Sequence, residues 1–147
     1  MSNLDTALAI AIQAHAGQVD KAGQPYILHP LRLMFQMATE EEMITAVLHD
    51  VVEDSDVTLD ALRQAGFSEK VITAVAAVSR QDDETYEEFI RRLRPNALAA
   101  KVKLADLTDN MDARRLKTIT PKDLARIEKY HHAWIALTSP IDAAVGE

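Results

Sequence analysis

The chain contains no cysteine. That excludes disulfides, a thiolate nucleophile and any cysteine-type zinc site. It also lacks basic character: 16 Lys and Arg stand against 23 Asp and Glu, for a formal net charge of −7. Such a balance speaks against nucleic-acid polymers and anionic membrane surfaces as partners, since both would be repelled. A small phosphorylated ligand held by a few local cations stays compatible with it. Met1-Ser2-Asn3-Leu4-Asp5 has no basic segment leading into an apolar core, and no apolar stretch is long enough to span a bilayer. A cytoplasmic location and no membrane partner are therefore expected. Period-2 alternation, internal repeats, low-complexity segments and domain linkers are absent as well. What is present is 147 residues that are 48% apolar, enough for one folded domain, 1–147, with a real core.

The apolar spacing is helical nearly throughout. Leu4, Ala7, Leu8, Ala11, Ala14 and His15 form the stripe of a first helix that should stop at Gly17. A loop follows from Gln18 to Pro30, and Pro30 can open a second helix through about Ala38. Thr39 with Glu42 reads as a capping box, starting a third helix that continues through His49-Asp50-Val51-Val52-Glu53-Asp54. Short helices are expected near 56–66 and 68–78, then from Thr85 to Leu93, from Pro95 to about Arg114, and from Thr120-Pro121 to Leu137. The tail after Pro140 is expected to be loose, and the core should span about 4–137. The reading is an all-α, single-domain bundle of about eight helices.

On a continuous helix, His49, Glu53, Asp50 and Asp54 fall at roughly 0°, 40°, 100° and 140°. An imidazole and three carboxylates would then share one face, while Ile44, Val47, Leu48, Val51 and Val52 cover the other side. Placing those charges against a buried helix is costly without a cation. Two further segments can complete a site. Tyr26-Ile27-Leu28-His29-Pro30 sets a histidine before a proline, which favours an extended backbone at His29. Ala99, Lys103, Asp106 and Asn110 are three or four apart and form a polar stripe on a largely apolar helix. Two histidines with two aspartates make a mixed nitrogen and oxygen set, which suits Mn, Fe, Zn or Ni better than Ca or pure Mg. The His-x-x-x-His spacing of zinc proteases is absent.

These stretches, together with Ala14-His15-Ala16-Gly17-Gln18 and Val102-Lys103-Leu104-Ala105-Asp106, resemble the HD superfamily of metal-dependent phosphohydrolases. More closely, they resemble the hydrolase domain of RelA/SpoT-type alarmone enzymes and their small single-domain relatives. The resemblance implies a divalent metal, usually Mn²⁺ with Fe, Zn, Ni or Mg as alternatives, held by His29, His49, Asp50 and Asp106. It implies that Glu53 and Asp54 position or deprotonate the attacking water. The implied reaction removes the 3′-pyrophosphate of ppGpp, and no synthetase domain fits in this length. On residue chemistry, Lys21 and Lys103 can offset substrate phosphates, Asn110 can bond sugar or phosphate, and Tyr26 can line the pocket. His15, Tyr130 and Trp134 read as packing residues.

One position departs from the family. Asp20 stands where an arginine stacks on guanine, which removes a cation–π contact and adds repulsion toward phosphates. The alternatives left open are a phosphatase acting on NADPH or a nucleoside monophosphate, or a non-catalytic nucleotide-binding regulatory module. Oligomeric state is also left open.

Overall fold

Helix caps chosen by sequence set most of the boundaries. A computed structural model describes residues 3–140. Asn3 caps α1 (Leu4–Ala14) by accepting from the Thr6 amide, and Gly17, at φ +81°, turns the chain out of it. After α2 (Leu28–Phe35), the Thr39–Glu42 capping box opens α3 (Glu40–Leu48). α4 (Val51–Asp54), α5 (Leu59–Gln64) and α6 (Glu69–Val78) follow, the last two capped by Thr58 and Ser68. Thr85 caps α7 (Tyr86–Leu93), Asn96 caps α8 (Ala97–Asn110), and Thr120 caps α9 (Pro121–Thr138) after a 3-10 turn at Ala113–Arg115. Among the described residues there are no strands beyond an isolated bridge between Val19 and Pro25. The all-α expectation holds. The expected loose tail after Pro140 lies outside the described residues.

Three boundaries differ from the sequence expectation. The third helix is not continuous. α3 ends at Leu48, His49 and Asp50 form a turn, and α4 restarts at Val51 with Asp50 as its cap. The His49 imidazole donates from Nδ1 to the Ala46 carbonyl at 2.7 Å and so takes a bond that helix propagation would use. This break turns about eight expected helices into nine α-helical segments among the described residues.

α2 begins at Leu28, so His29 lies in its first turn and not in extended backbone. Pro30 is tolerated there because the first amides of a helix have no intrahelical partner. α8 stops at Asn110, short of Arg114. There Asp112 redirects the chain by capping the Arg114 amide.

Three apolar clusters hold the bundle. One joins α1, α3, α4, α5 and α6 through Ala7, Ala11, Val47, Leu48, Val51, Leu62 and Val75. A second joins α6, α7, α8 and α9 through Val78, Phe89, Leu93, Leu107 and Ala133. The third is small and joins α2, α3 and α8 through Leu33, Met37, Ala46, Val102 and Ala105. It sits within about one turn of each candidate ligand: Leu33 follows His29, Ala46 precedes His49, and Val102 precedes Asp106. Ala46 is fully buried, and its small side chain lets the backbones of three helices converge there. This packing brings side chains 77 residues apart in sequence to hydrogen-bond distance.

Candidate functional site

Above that third cluster, four side-chain atoms converge. His29 Nε2 lies 2.9 Å from Asp106 Oδ1 and 3.8 Å from Asp50 Oδ2. His49 Nε2 lies 3.0 Å from Asp50 Oδ2 and 3.6 Å from Asp106 Oδ1. Both histidines and Asp106 are buried, and Asp50 is nearly so. Ligands roughly 2.0–2.2 Å from one ion stand about 3–3.6 Å apart, so the spacing is that of a coordination shell.

The tautomer of His49 supports the same reading. Its Nδ1 faces a carbonyl, which only accepts, so Nδ1 carries a proton and Nε2 is the nitrogen turned toward the carboxylates. That Nε2 is buried and has no hydrogen-bond partner, although carboxylate oxygens surround it. Burial opposes charge on His49, yet Asp50 and Asp106 hold its pKa well above the ordinary value, so this nitrogen calls for a proton or a metal cation between it and the carboxylates. The donor set therefore fits a divalent ion: His29, His49 and Asp50 place their ligand atoms within 4.8 Å of one another, and the expected fourth ligand, Asp106, lies against both histidines.

The neighbours of these atoms are polar and oriented. Tyr26 donates its hydroxyl to Asp50 Oδ2. Burial, reinforced by Asp50, pushes the Tyr26 hydroxyl well above its ordinary pKa and keeps it a donor. Lys103 donates to Asp106 Oδ2 at 2.8 Å, and Asn110 donates to Asp106 Oδ1 at 2.9 Å. The Lys103 ammonium also lies 5.0 Å above the Phe89 ring. Desolvation opposes charge on Lys103, yet Asp106 holds its pKa above the ordinary lysine value. Burial likewise opposes ionisation of Asp106, and Lys103 with the two histidines overcomes it. Lys103 and Asn110 were expected to meet substrate; here both already hold a candidate ligand.

Glu53 and Asp54 lie at the solvent edge of the same region, across the helix break from the expected shared face. The Glu53 carboxylate accepts from the Arg80 amide, so it is aimed at the end of α6. Gln18 Nε2 ties the Asp54 backbone carbonyl to the end of α1 at 2.9 Å. Both carboxyls bind protons more readily than ordinary ones. Desolvation is the main cause in each case, and the negative charge of Asp50 adds to it.

Beside the centre opens a cleft of about 430 Å³ reaching from Tyr26, His29 and Asn110 to the 19–22 loop. Lys21, Arg32, Arg115 and Arg126 line it along with Asp20 and Asp112, an excess of cations in a chain of net charge −7. Only Lys21 was anticipated from sequence. Tyr130, expected in the core, lines the cleft and also packs on the second apolar cluster. Trp134 packs on that cluster as expected. His15 is buried beside Tyr26, with ring centroids 4.9 Å apart, and its Nδ1 bonds Gln18.

Asp20 lines the cleft and also has a structural role in its own loop. Its Oδ1 accepts from the amides of Ala22 and Gln24, both at 2.9 Å, and folds the loop around itself. Asp109 was missed altogether. It accepts from His29 Nδ1 at 2.7 Å and from both arms of Arg32. Its position three residues after Asp106 on one helix was the available signal.

Comparison with known proteins agrees with this geometry. The HD domain family matches residues 7–127, and the chain belongs to that family. It is 33% identical over 135 residues to a guanosine-3′,5′-bis(diphosphate) 3′-pyrophosphohydrolase of Vibrio cholerae, covering 82% of this chain and 19% of that protein. It is 31% identical over 144 residues to the bifunctional (p)ppGpp synthase/hydrolase SpoT of Escherichia coli, covering 88% and 20%. The chain thus spans about a fifth of the length of these curated relatives. A solved structure of a metazoan SpoT ortholog, described as hydrolysing ppGpp, shares the fold at TM-score 0.73 and 23% identity, over 91% of this chain and 84% of that one. No helix among the described residues is long and apolar enough to cross a membrane.

Proposed function

We propose that the chain is a metal-dependent phosphohydrolase that removes the 3′-pyrophosphate of a ppGpp-like nucleotide. His29, His49, Asp50 and Asp106 serve as ligands, with Mn²⁺ as the preferred ion. The observation that carries this reading is the convergence of those four side chains around a partnerless, buried His49 Nε2, beside a cationic cleft. The activities named for the curated relatives support the choice of substrate.

A divalent cation here supplies a Lewis acid for phosphoryl oxygens and lowers the pKa of water. The protein residues do the rest. Tyr26 and Asn110 orient the carboxylates of Asp50 and Asp106. Lys21, Arg32, Arg115 and Arg126 draw the phosphates into the cleft and offset their charge. Glu53 and Asp54, whose proton affinity is raised, take the proton of the attacking water.

The test is incubation of Mn²⁺-loaded protein with ppGpp and identification of the product. Pyrophosphate with GDP is expected. Orthophosphate release from NADPH or a nucleoside monophosphate, with ppGpp untouched, would overturn the alarmone assignment and leave the metal chemistry intact. The Asp20 geometry favours testing both, because its side chain is engaged with its own loop and offers no cation to a base. Bound metal without turnover of any of these compounds would mark a regulatory module.

A further inference from the structure

We propose that Asp109 is a positioning residue for the metal ligand His29, and that Arg32, although it lines the cleft, acts on metal retention through Asp109. The inference rests on the metal reading above. It starts from the two nitrogens of His29. Nδ1 is 2.7 Å from Asp109 Oδ2, and Nε2 is 2.9 Å from Asp106 Oδ1. Arg32 grips Asp109 with both arms, Nε to Oδ1 at 2.8 Å and Nη2 to Oδ2 at 2.9 Å. Arg115 adds a bond to the Asp109 backbone carbonyl at 2.9 Å and lies 3.4 Å from Oδ2.

A carboxylate so held is ionised and only accepts. His29 therefore carries a proton on Nδ1, and Nε2 is the nitrogen turned toward Asp106 and Asp50, the one an ion would take on displacing any proton there. A ligating imidazole whose second nitrogen donates to a carboxylate is fixed in orientation and becomes a stronger donor to the ion. The two histidines of the centre differ in this respect. His49 donates to the neutral Ala46 carbonyl, whereas His29 donates to a charged group. His29 and Arg32 are three residues apart in α2, so one helix face presents both to Asp109 on α8. Asp109 is 6% exposed, and the bonds from His29 and Arg32 offset the cost of burying its charge.

Direct titration of Mn²⁺ into the metal-free protein, read by calorimetry or by competition with a chromophoric chelator, tests the relay. Asp109→Asn should weaken metal binding about 10–100-fold. Arg32→Gln should weaken it in the same direction, and the double variant should be no weaker than Asp109→Asn alone, because the two residues act in series. Arg32→Lys keeps the charge but loses the fork, and gives an intermediate value if Asp109→Asn does not fold. Metal-free melting curves separate loss of fold from loss of metal.

Unchanged metal affinity in folded Asp109→Asn, or in Arg32→Lys should that variant not fold, overturns the proposal. So does an Arg32→Gln variant in which only KM for the nucleotide moves. Wild-type protein that binds no Mn²⁺ would instead overturn the reading of the centre itself, so the two failures are distinguishable.

Discussion

At the residue scale, Glu53 and His49 illustrate how burial and hydrogen bonding divide the work. Desolvation raises the Glu53 pKa, and Asp50 adds to the effect. A carboxyl with a raised folded-state pKa destabilises the fold above that pKa, where it must carry charge. Its penalty fades as pH falls toward the unfolded value of about 4.3. Glu53→Gln keeps an acceptor for the Arg80 amide and removes the charge. This variant should lose turnover by about 10²–10⁴-fold and melt no lower than wild type at pH 7. Any gain in melting temperature should vanish near pH 4. Circular dichroism melts at the two pH values, beside product assays, check both parts. With Glu53 and Asp54 as the proposed proton acceptors, the acidic limb of kcat in wild type should lie above the ordinary carboxylate range. A limb at ordinary carboxylate pH would remove them from proton transfer.

At the element scale, the turn between α3 and α4 decides where His49 and Asp50 point. Leu48, fully buried in the first cluster, anchors the residue before the break, and Val51 anchors the one after it. Leu48→Ala should cost about 2–5 kcal/mol of stability by opening a cavity at that anchor. Metal affinity should fall with it, and chemical denaturation paired with metal titration measures the two losses together. A stability loss with full metal affinity would show that the turn is held by something else. The 18–26 loop depends on a single side chain in a similar way. Asp20 bonds two loop amides, and the Tyr26 amide closes on the Gln18 carbonyl at 2.8 Å. Replacing Asp20 by Ala should cost about 1 kcal/mol and speed hydrogen exchange at Ala22 and Gln24. Restoring an arginine at this position removes the same bonds, so its effect on base preference has to be judged against the Ala variant.

At the scale of the whole molecule, an acidic chain gathers cations at one cleft and carboxylates at the adjoining centre. Chelation should lower the melting temperature, and Mn²⁺ should restore it. An ion at a hundred times its dissociation constant stabilises by about 2.7 kcal/mol. Scanning calorimetry with and without chelator reads this directly, and an unmoved transition would argue against a metal held by the folded state. Nucleotide KM should rise with added salt, since ionic strength screens the cleft cations. The HD domain fold tolerates these opposed charges because each buried one is paired. Lys103 meets Asp106, and Arg32 meets Asp109.

Much of this was legible from local sequence rules. Helix identity follows from apolar spacing, and caps at Thr39, Ser68, Thr85 and Thr120 act within four residues, so they can be read directly. The side chains that converge on the centre belong to short segments with recognisable residue chemistry. Other features depend on long-range contacts and only the tertiary structure decided them. Continuous periodicity from Glu40 to Asp54 gave no sign that the His49 imidazole would take the Ala46 carbonyl and break the helix. Asp109, Arg32 and Arg115 look like surface charges in sequence because their partners lie on other helices or across a turn, while Arg126 pairs with Asp123 on its own helix and meets the cleft only through tertiary packing. The sequence by itself determined which groups could bind a cation and on which helices they ride. Packing of α2, α3 and α8 around Ala46 decided which nitrogen of each histidine faces the centre, because ring orientation is set by the neighbour that the fold supplies to the other nitrogen.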